Sequence, residues 1–223
     1  ASDVYKRQNY YASSFSSYAG LEDGTYTVEE LDTLCSDLVE RVNESAKTGR
    51  QVYRENRSAW RAESVRAMQA AGEKFPCLEG FYPRPKEVLV SWILSVQQLC
   101  GVYSPFTVEA NFNGDMPDYN VPHTLCHELS HLKGFMREDE ANFIGYLACI
   151  SSEKEAFRYS GYLTGWVYAG NALARVDMSR YIELTNQLCG EARQDLDENS
   201  DFLNRYESKV CLLYTSPSPR DTE

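Results

Sequence analysis

Histidine and clustered positive charge are both scarce in this chain. Only three of its 223 residues are histidine, and 22 Lys and Arg stand against 33 Asp and Glu, for a net charge of −11. A surface that binds nucleic acid or an anionic membrane needs Lys and Arg grouped on one face. The sequence shows no such group, so it argues against nucleic acid as a partner.

Long apolar runs and paired-cysteine spacings are missing as well. The longest apolar run, residues 88–96, is far shorter than the roughly 18 to 20 residues that cross a bilayer. We therefore expect the chain as given to be soluble. The seven cysteines lack the Cys-x-x-Cys spacing of a metal knuckle, and several fall in apolar helical patterns, where a thiol behaves as a small hydrophobe.

The two ends of the chain do not continue the patterns beside them. Residues 1–8 and 211–223 resemble strings that recur at the ends of unrelated reading frames, as translated sequencing adapter does. We therefore predict non-native ends around a single domain at residues 9–210, which would be a fragment of a longer protein. The sequence does not indicate an oligomeric state.

Helical signals dominate between these ends. Thr27 and Glu30 form a capping box, and apolar residues follow it at helical spacing. Further helices are predicted at residues 58–73 and within residues 162–206, whereas residues 87–101 fit either a strand or a helix. These patterns predict one helical domain.

One stretch, residues 105–120, alternates apolar and polar side chains before an Asn-Gly-Asp turn. It indicates a short strand with Val108, Ala110 and Phe112 on the buried side. The predicted fold class is therefore mainly α, with a small sheet.

All three histidines fall in one predicted helix, which begins near Val121 because Pro122 suits a first helical turn. His127 and His131 are four residues apart, so they project from the same face and can bind one metal ion. His123 lies a further turn away. Three histidines at this spacing span about 12 Å of helix axis, so we expect His123 to be structural or to line a cleft.

Glu128 lies between the two predicted ligands without pointing at the ion. It can therefore act as a general base that takes a proton from a zinc-activated water. The sequence H-E-L-S-H at 127–131 is the H-E-x-x-H motif of the zincin metalloproteases.

A catalytic zinc needs a third protein ligand and an open position for water. In the metzincin form of the motif the third histidine would fall on Arg137, whose guanidinium has no lone pair for a metal. In the gluzincin form a following helix supplies a glutamate, and "EDEAN" at 138–142 matches that form with Glu138 as ligand. Glu140 is a fallback ligand. The remaining alternative is that neither glutamate binds the metal.

Two further residues support the gluzincin interpretation. Asn142, one turn after Glu138, is expected to accept the ring N–H of His127 and so fix its tautomer. Gly134 is expected to provide the reversal that folds the second helix back onto the first.

The run from Gly101 through "VPHTLCHELSHLKGFMREDEANFIGYLAC" resembles an uncharacterised family of bacterial zincin-like, gluzincin-type metalloproteases, described as a domain of unknown function. The likeness covers residues 9–206. It implies His127, His131 and Glu138 as zinc ligands and Glu128 as general base. It also implies transmembrane helices before the catalytic segment, so we expect the full-length protein to be anchored in the bacterial cell membrane through a missing N-terminal part.

In zincins an edge strand before the motif helix borders the cleft and pairs with the extended substrate. The predicted strand would place Thr107, Glu109 and Asn111 in that role. An ordinary strand that only packs its apolar side chains is the alternative.

A peptidase also stabilises the oxyanion that forms when water adds to the carbonyl. With no histidine outside the motif helix, a tyrosine, an arginine or the metal must do so. Tyr159 is the expected residue, and Arg158 and Tyr162 are its neighbours in the same segment.

These observations predict a hydrolase, a zinc-dependent peptidase with one Zn²⁺ per chain and a peptide or protein substrate. One alternative is a catalytically silent zincin-like module that binds metal or acts as a sensor. The other is a metal-free helical interaction protein, in which the spacing of the histidines is coincidental.

Overall fold

The computed structural model of this protein describes residues 14–21, 24–52, 57–89, 91–96, 99–104 and 107–214, without the side chains of residues 51, 52, 57, 93 and 207–214. These residues form nine α-helices and a three-stranded sheet. The prediction of a mainly helical domain with a small sheet is confirmed. Of the predicted non-native ends, residues 1–8 and 215–223 lie outside the described residues.

The helices, in chain order, are α1 (Phe15–Ala19), α2 (Val28–Val52), α3 (Arg57–Lys74), α4 (Ser91–Val96), α5 (Asn120–Lys133), α6 (Glu138–Ser151), α7 (Glu155–Val176), α8 (Met178–Gln187) and α9 (Gly190–Tyr214). The strands are β1 (Lys86–Glu87), β2 (Gly101–Ser104) and β3 (Glu109–Phe112). No helix in the described part of the chain is both long and apolar enough to cross a membrane.

The predicted capping box starts α2. The main-chain N–H of Thr27 donates to Glu30 Oε2 at 2.8 Å, and the N–H of Glu30 donates to Thr27 Oγ1 at 3.2 Å. Both bonds satisfy donors that the first helical turn leaves unpaired. From this start α2 packs along α7, and its Leu38 and Val42 are buried.

The sheet has the order β1-β3-β2, so β3 is its central strand. β1 runs parallel to β3, and β2 runs antiparallel to β3 with Val102 opposite Asn111. The predicted inward-facing Ala110 and Phe112 are buried, but Val108 is 56% exposed and lies before the strand with a φ of 53°. The prediction for Val108 is therefore wrong, because the chain turns there instead of continuing the pleat.

Helix α5 lies at the centre of the domain and is mostly buried. It contacts the sheet through β2 and β3, and it packs against α3, α6 and α7. The helix ends at Gly134, whose φ of 108° is in the left-handed region that glycine adopts at no steric cost. Four residues later α6 begins and packs back on α5, so the predicted reversal at Gly134 is confirmed.

Candidate metal centre

His127 and His131 occupy successive turns of α5 and turn their rings towards one another. Their Nε2 atoms are 3.0 Å apart, and their side chains are only 13% and 5% exposed. Two nitrogen lone pairs at this separation, in a mostly buried position, can share one cation. The four-residue spacing therefore produces the paired arrangement that it predicts.

Glu138, the first residue of α6, brings its carboxylate to the same point. Its Oε2 is 3.3 Å from Nε2 of His127, and its Oε1 is 3.5 Å from Nε2 of His131. In the part of the chain that the structure describes, these three residues form the only group of three or more His, Cys, Asp or Glu side chains close enough to hold a metal, with ligand atoms within 4.8 Å of one another. The reversal at Gly134 places Glu138 there, because it starts α6 beside the end of α5.

The donor set and its spacing fit zinc. Two imidazole nitrogens and one carboxylate oxygen form a common protein ligand set for catalytic zinc, which leaves a fourth position for water. Bonds of about 2.0 to 2.1 Å in a tetrahedron separate neighbouring ligand atoms by about 3.3 Å. The two Nε2 atoms are 3.0 Å apart, and different carboxylate oxygens of Glu138 lie 3.3 Å (Oε2) from His127 and 3.5 Å (Oε1) from His131, all close to that value.

The other ring nitrogens of both histidines face oxygen atoms. Nδ1 of His127 lies 2.9 Å from Asn142 Oδ1, and Nδ1 of His131 lies 2.8 Å from the carbonyl oxygen of Phe135. The Phe135 carbonyl has no hydrogen to give, so Nδ1 of His131 must carry the proton. The same assignment for His127 makes Asn142 the acceptor and leaves both Nε2 lone pairs available for a metal.

His123 stands apart from this cluster. Its Nε2 lies 3.0 Å from the main-chain oxygen of Asn142, to which it donates, and the residue is 6% exposed. Burial lowers the pKa of His123 to about 4, so the ring is neutral at physiological pH. The structure therefore places His123 as a buried side chain that braces α5 against α6 and also lines the adjacent cavity.

Glu140, the fallback ligand, is committed elsewhere. Its Oε1 accepts the main-chain N–H of Phe15 at 2.9 Å. Phe15 is the first residue of α1, and its buried ring packs edge-on against Phe135 and Phe143. Glu140 thus secures a peripheral helix, and the structure brings Glu138, not Glu140, to the two histidines.

Glu128 is buried beside the cluster and is 5% exposed. Its Oε2 has no hydrogen-bond partner among the described residues. Burial raises the pKa of the carboxyl to about 8, and the negative charge of Glu138 adds to this effect. A buried polar atom without a partner costs about 1–3 kcal/mol, so this orientation indicates a position that a ligand completes.

Gly101 of β2 makes room for Glu128. A Cβ placed on Gly101 would lie 2.3 Å from Glu128 Oε1 and 2.6 Å from its Cδ. No real side chain tolerates such contacts, so glycine is required if the carboxyl is to lie between α5 and the strand. The sequence reading did not identify Gly101, since its partner is 27 residues away in the chain.

A cavity of about 580 Å³ opens beside these groups, and we call it the site cavity. Its walls come from β2, α5, α6, α7 and α9, and they include all three histidines, Glu128 and Glu138. Thr164 of α7 also lines it, and its buried hydroxyl is the second side-chain atom that lacks a partner in the described part of the chain. Both unpartnered buried side-chain atoms therefore belong to residues of this cavity.

The structure does not bring Tyr159 to the site cavity. Its side chain is fully buried between α7 and α9, where the hydroxyl donates to Asp195 Oδ2 at 2.6 Å. Burial raises the pKa of Tyr159, as does its bond to Asp195. Arg158, its neighbour, donates to the Ser152 carbonyl instead. The expected contact of Tyr159 with a reacting carbonyl is thus replaced by a structural role.

Tyr168, which the sequence reading missed, does line the site cavity and is 56% exposed. Partial burial of Tyr168 raises its pKa, the charge of Glu138 raises it further, and a hydrogen bond with Asn142 partly opposes both. Helical periodicity contained the necessary signal. Tyr159 falls in the buried stripe with Leu163 and Trp166, whereas Tyr168 shares the cavity-facing side with Thr164, four residues before it.

The predicted substrate strand is also corrected. Glu109 and Asn111 belong to β3, which is paired on both sides, and Thr107 lies in the turn before it. None of the three lines the site cavity. The strand beside the cavity is β2, which lies at the edge of the described sheet. Strand β3 is nearer to the motif helix in sequence, but it is paired with β1 on one side and with β2 on the other.

A sequence family described as "Protein of unknown function (DUF3810)" matches residues 4–216. This range extends on both sides beyond the predicted domain at residues 9–210 and includes parts of the ends that the sequence reading set aside. No curated protein and no solved structure matches the chain.

Proposed function

We propose that this chain, which belongs to the DUF3810 family of proteins of unknown function, is a zinc-dependent peptidase of the gluzincin type. The observation that carries the proposal is the convergence of His127, His131 and Glu138 beside the buried Glu128, whose Oε2 lacks a partner among the described residues. Zinc bound there would polarise the substrate carbonyl and lower the pKa of a bound water.

Glu128 performs the proton transfers in this proposal. It lies at the position next to His127 where it cannot compete as a ligand, and Gly101 lets it approach the strand closely. Its carboxylate takes a proton from the attacking water and passes it to the leaving amine. Burial raises the pKa of this carboxyl to about 8 in the metal-free protein, and a zinc ion beside it would lower that pKa towards the ionised form that the transfer requires.

Strand β2 offers a main-chain surface for the substrate. The N–H of Asn113 donates to the carbonyl of Cys100 at 2.8 Å, so alternate residues from Cys100 onward pair with the β3 side. The main-chain N–H and C=O of Gly101 therefore point away from β3, and Gly101 lines the site cavity. An extended peptide can align there and bring one of its carbonyls to the metal ligands.

Tyr168 takes the role expected of Tyr159. Its hydroxyl is at the cavity wall near Asn142 and Glu138, and its raised pKa keeps it protonated at neutral pH. A protonated phenol can donate to an oxygen that becomes negative as water adds to the carbonyl. Tyr168 is thus the proposed oxyanion donor.

Membrane anchoring of the full-length protein belongs to the same proposal. It is supported by the resemblance of the motif region to zincin-like proteins in which transmembrane helices precede the catalytic segment. Residues 14–214, where described, show no membrane-spanning helix, so an anchor would lie in a part outside them.

Metal content tests the site directly. We expect about one zinc per chain by elemental analysis of the purified protein, and a sharp reduction for Glu138→Ala. Glu140→Ala is the matched control, since it removes a carboxylate two residues away that binds the Phe15 N–H, and it should keep its zinc. No zinc in the parent protein from metal-replete buffer would contradict the proposal.

Activity is then tested with Glu128→Gln against a library of blocked peptides. The amide preserves the shape of the side chain but cannot take up the proton. We expect zinc to remain and hydrolysis to fall by about 10²–10⁴-fold. Cleavage by this variant at the parental rate would show that Glu128 is not the base, and zinc without any cleavage by the parent would favour the metal-binding or sensor alternative.

A further inference from the structure

A second cavity of about 640 Å³ adjoins the site cavity, and we call it the apolar groove. It lies between α2, α6 and α7, and most of its wall is apolar. The side chains that define it here are Leu31, Leu34, Phe143, Tyr146, Tyr168 and Ala169. A groove of this size accommodates one or two large side chains of another molecule.

The groove and the site cavity share a wall. His123, Asn142, Thr164 and Tyr168 line both of them. A peptide that passes the metal ligands therefore needs only to turn a side chain past Tyr168 to enter the groove. This continuity identifies the occupant as part of the molecule bound at the metal centre.

The groove leaves apolar side chains in contact with water. Leu34 is 48% exposed although it belongs to the apolar stripe of α2, and Phe143 on the facing helix α6 is 42% exposed. Covering the exposed part of these side chains removes apolar surface from water, which is favourable. These residues therefore provide a driving force for binding that the domain's own packing does not use.

Charge restricts the occupant further. Among the residues that the structure describes, neither the groove nor the site cavity is lined by a Lys or Arg, whereas Glu30 and Asp139 lie at the groove wall. An acidic side chain or a terminal carboxylate would meet these carboxylates, and it would find no Lys or Arg in the described groove wall to replace its lost water. The lining thus favours neutral, apolar segments within a chain.

We propose that the apolar groove is the specificity subsite of the peptidase and takes a leucine-sized or phenylalanine-sized side chain near the cleaved bond, so that the substrates are apolar segments of a polypeptide. This inference rests on the proposed function, since it deepens the same site. It assigns Leu34, Phe143 and Ala169 as residues that select the substrate without taking part in the chemistry.

Peptide binding tests the subsite separately from turnover. The probes are blocked alanine hexapeptides, N-acetylated and C-amidated, with a single Leu, Phe or Asp placed at each position in turn. They are titrated into the zinc-loaded Glu128→Gln protein in a calorimeter. We expect Leu or Phe at one preferred position to bind at least about tenfold more tightly than alanine, and Asp at that position to bind less tightly than alanine.

Two variants of the groove and one control locate the effect. Leu34→Asp puts a charge in the wall, and Ala169→Trp fills the groove without adding one. Ile182→Asp on α8 is the control, because Ile182 is 52% exposed, much like Leu34, but lines neither cavity. We expect the preference for Leu or Phe to fall to about twofold or less in both groove variants and to remain in the control.

The outcomes separate the two proposals. Zinc binding and cleavage without an apolar preference, or with a preference that survives both groove variants, would overturn the subsite and leave the peptidase standing. A preference that the groove variants abolish, in a parent protein that binds zinc but cleaves nothing, would support the subsite and overturn the peptidase. Failure of every peptide to bind would overturn the subsite, whatever the zinc content shows.

Discussion

The side-chain oxygen of Asn142 lies 2.9 Å from Nδ1 of His127, so α6 fixes the orientation of this ring of α5 while also bringing Glu138 to it. The same residue accepts the Nε2 proton of His123 through its main-chain oxygen. Asn142 therefore links two histidines of α5 to one turn of α6, and it sets their tautomers by what it accepts.

Asn142→Ala should weaken zinc binding by about 10–100-fold, because the His127 ring loses the acceptor that holds its orientation. Competition with a chromophoric chelator measures the affinity. Asn142→Asp keeps an acceptor at the same place and should bind zinc more tightly than the alanine variant. Asn171→Ala, an exposed change on α7, is the control, and an equal loss in that variant would contradict the specific role of Asn142.

The convergence of His127, His131 and Glu138 was predictable from the sequence because the signals are local. His127 and His131 lie on one helix, and Gly134 and Glu138 follow within seven residues, so helical geometry and one glycine reversal suffice to bring the groups together. Asn142 follows from the same periodicity, one turn after Glu138. None of these contacts depends on how the rest of the chain packs.

The parts that the sequence reading missed depend on long-range packing. The order of the three strands is set by pairing between segments up to 25 residues apart, so the alternation at residues 109–112 did not show that β3 would be covered on both sides. Gly101 matters only because Glu128 of a distant helix meets it. Tyr159 lies close in sequence to the helix that carries Glu138, which made it the expected oxyanion donor. Its place in the buried stripe of α7 instead gives it a structural role.

The unfolding free energy of the metal-free protein should depend on pH through Glu128. Burial raises the pKa of this carboxyl from 4.5 to about 8, so the folded state keeps its proton over a range where the unfolded chain loses it. Stability from this group therefore falls as pH rises from about 4.5 to about 8, with a slope of at most about 1.4 kcal/mol per pH unit.

Glu128→Gln removes that dependence, because glutamine does not titrate. In urea titrations with a chelator present, the stability of the parent relative to the variant should decline across this window and stay constant below pH 4.5. Subtracting the unfolding free energy of the variant from that of the parent at each pH cancels the pH dependence that the buried histidines give to both proteins. A flat difference between pH 5 and pH 8 would show that the carboxyl is not held in the buried position found here.

Gly101→Ala should damage the site without removing its ligands. The new Cβ would lie 2.3 Å from Glu128 Oε1, so either the carboxyl or strand β2 has to move. We expect a loss of about 1–3 kcal/mol in unfolding free energy and a fall of at least about tenfold in peptide cleavage, while zinc content stays near one per chain.

Gly24→Ala is the matched control for that change, since a Cβ on Gly24 meets no atom within 4 Å. Elemental analysis, urea titration and peptide cleavage are measured on both variants. If Gly101→Ala cleaved as fast as Gly24→Ala, close packing of Glu128 against β2 would have no part in its function.

Tyr168→Phe should lower catalytic activity and leave stability nearly unchanged, whereas Tyr159→Phe should lower stability and leave activity unchanged. Loss of the Tyr168 hydroxyl at the cavity wall is expected to lower kcat by about 10²–10³-fold with little change in KM, as for other oxyanion donors. Because Tyr168 is 56% exposed, the unfolding free energy of the Tyr168→Phe variant should differ from that of the parent by no more than about 0.5 kcal/mol. Loss of the Tyr159 hydroxyl leaves buried Asp195 without its 2.6 Å donor.

That second change should cost about 1–3 kcal/mol of stability and leave kcat unchanged, since Tyr159 does not line the site cavity. The pair therefore separates a residue that touches the substrate from one that supports the core, although the two lie nine residues apart on α7. Steady-state kinetics on a cleaved library peptide and urea titrations of both variants give the four values needed. A parental kcat for Tyr168→Phe would leave oxyanion stabilisation to the metal alone, and a reduced kcat for Tyr159→Phe with unchanged stability would return that role to the residue first predicted.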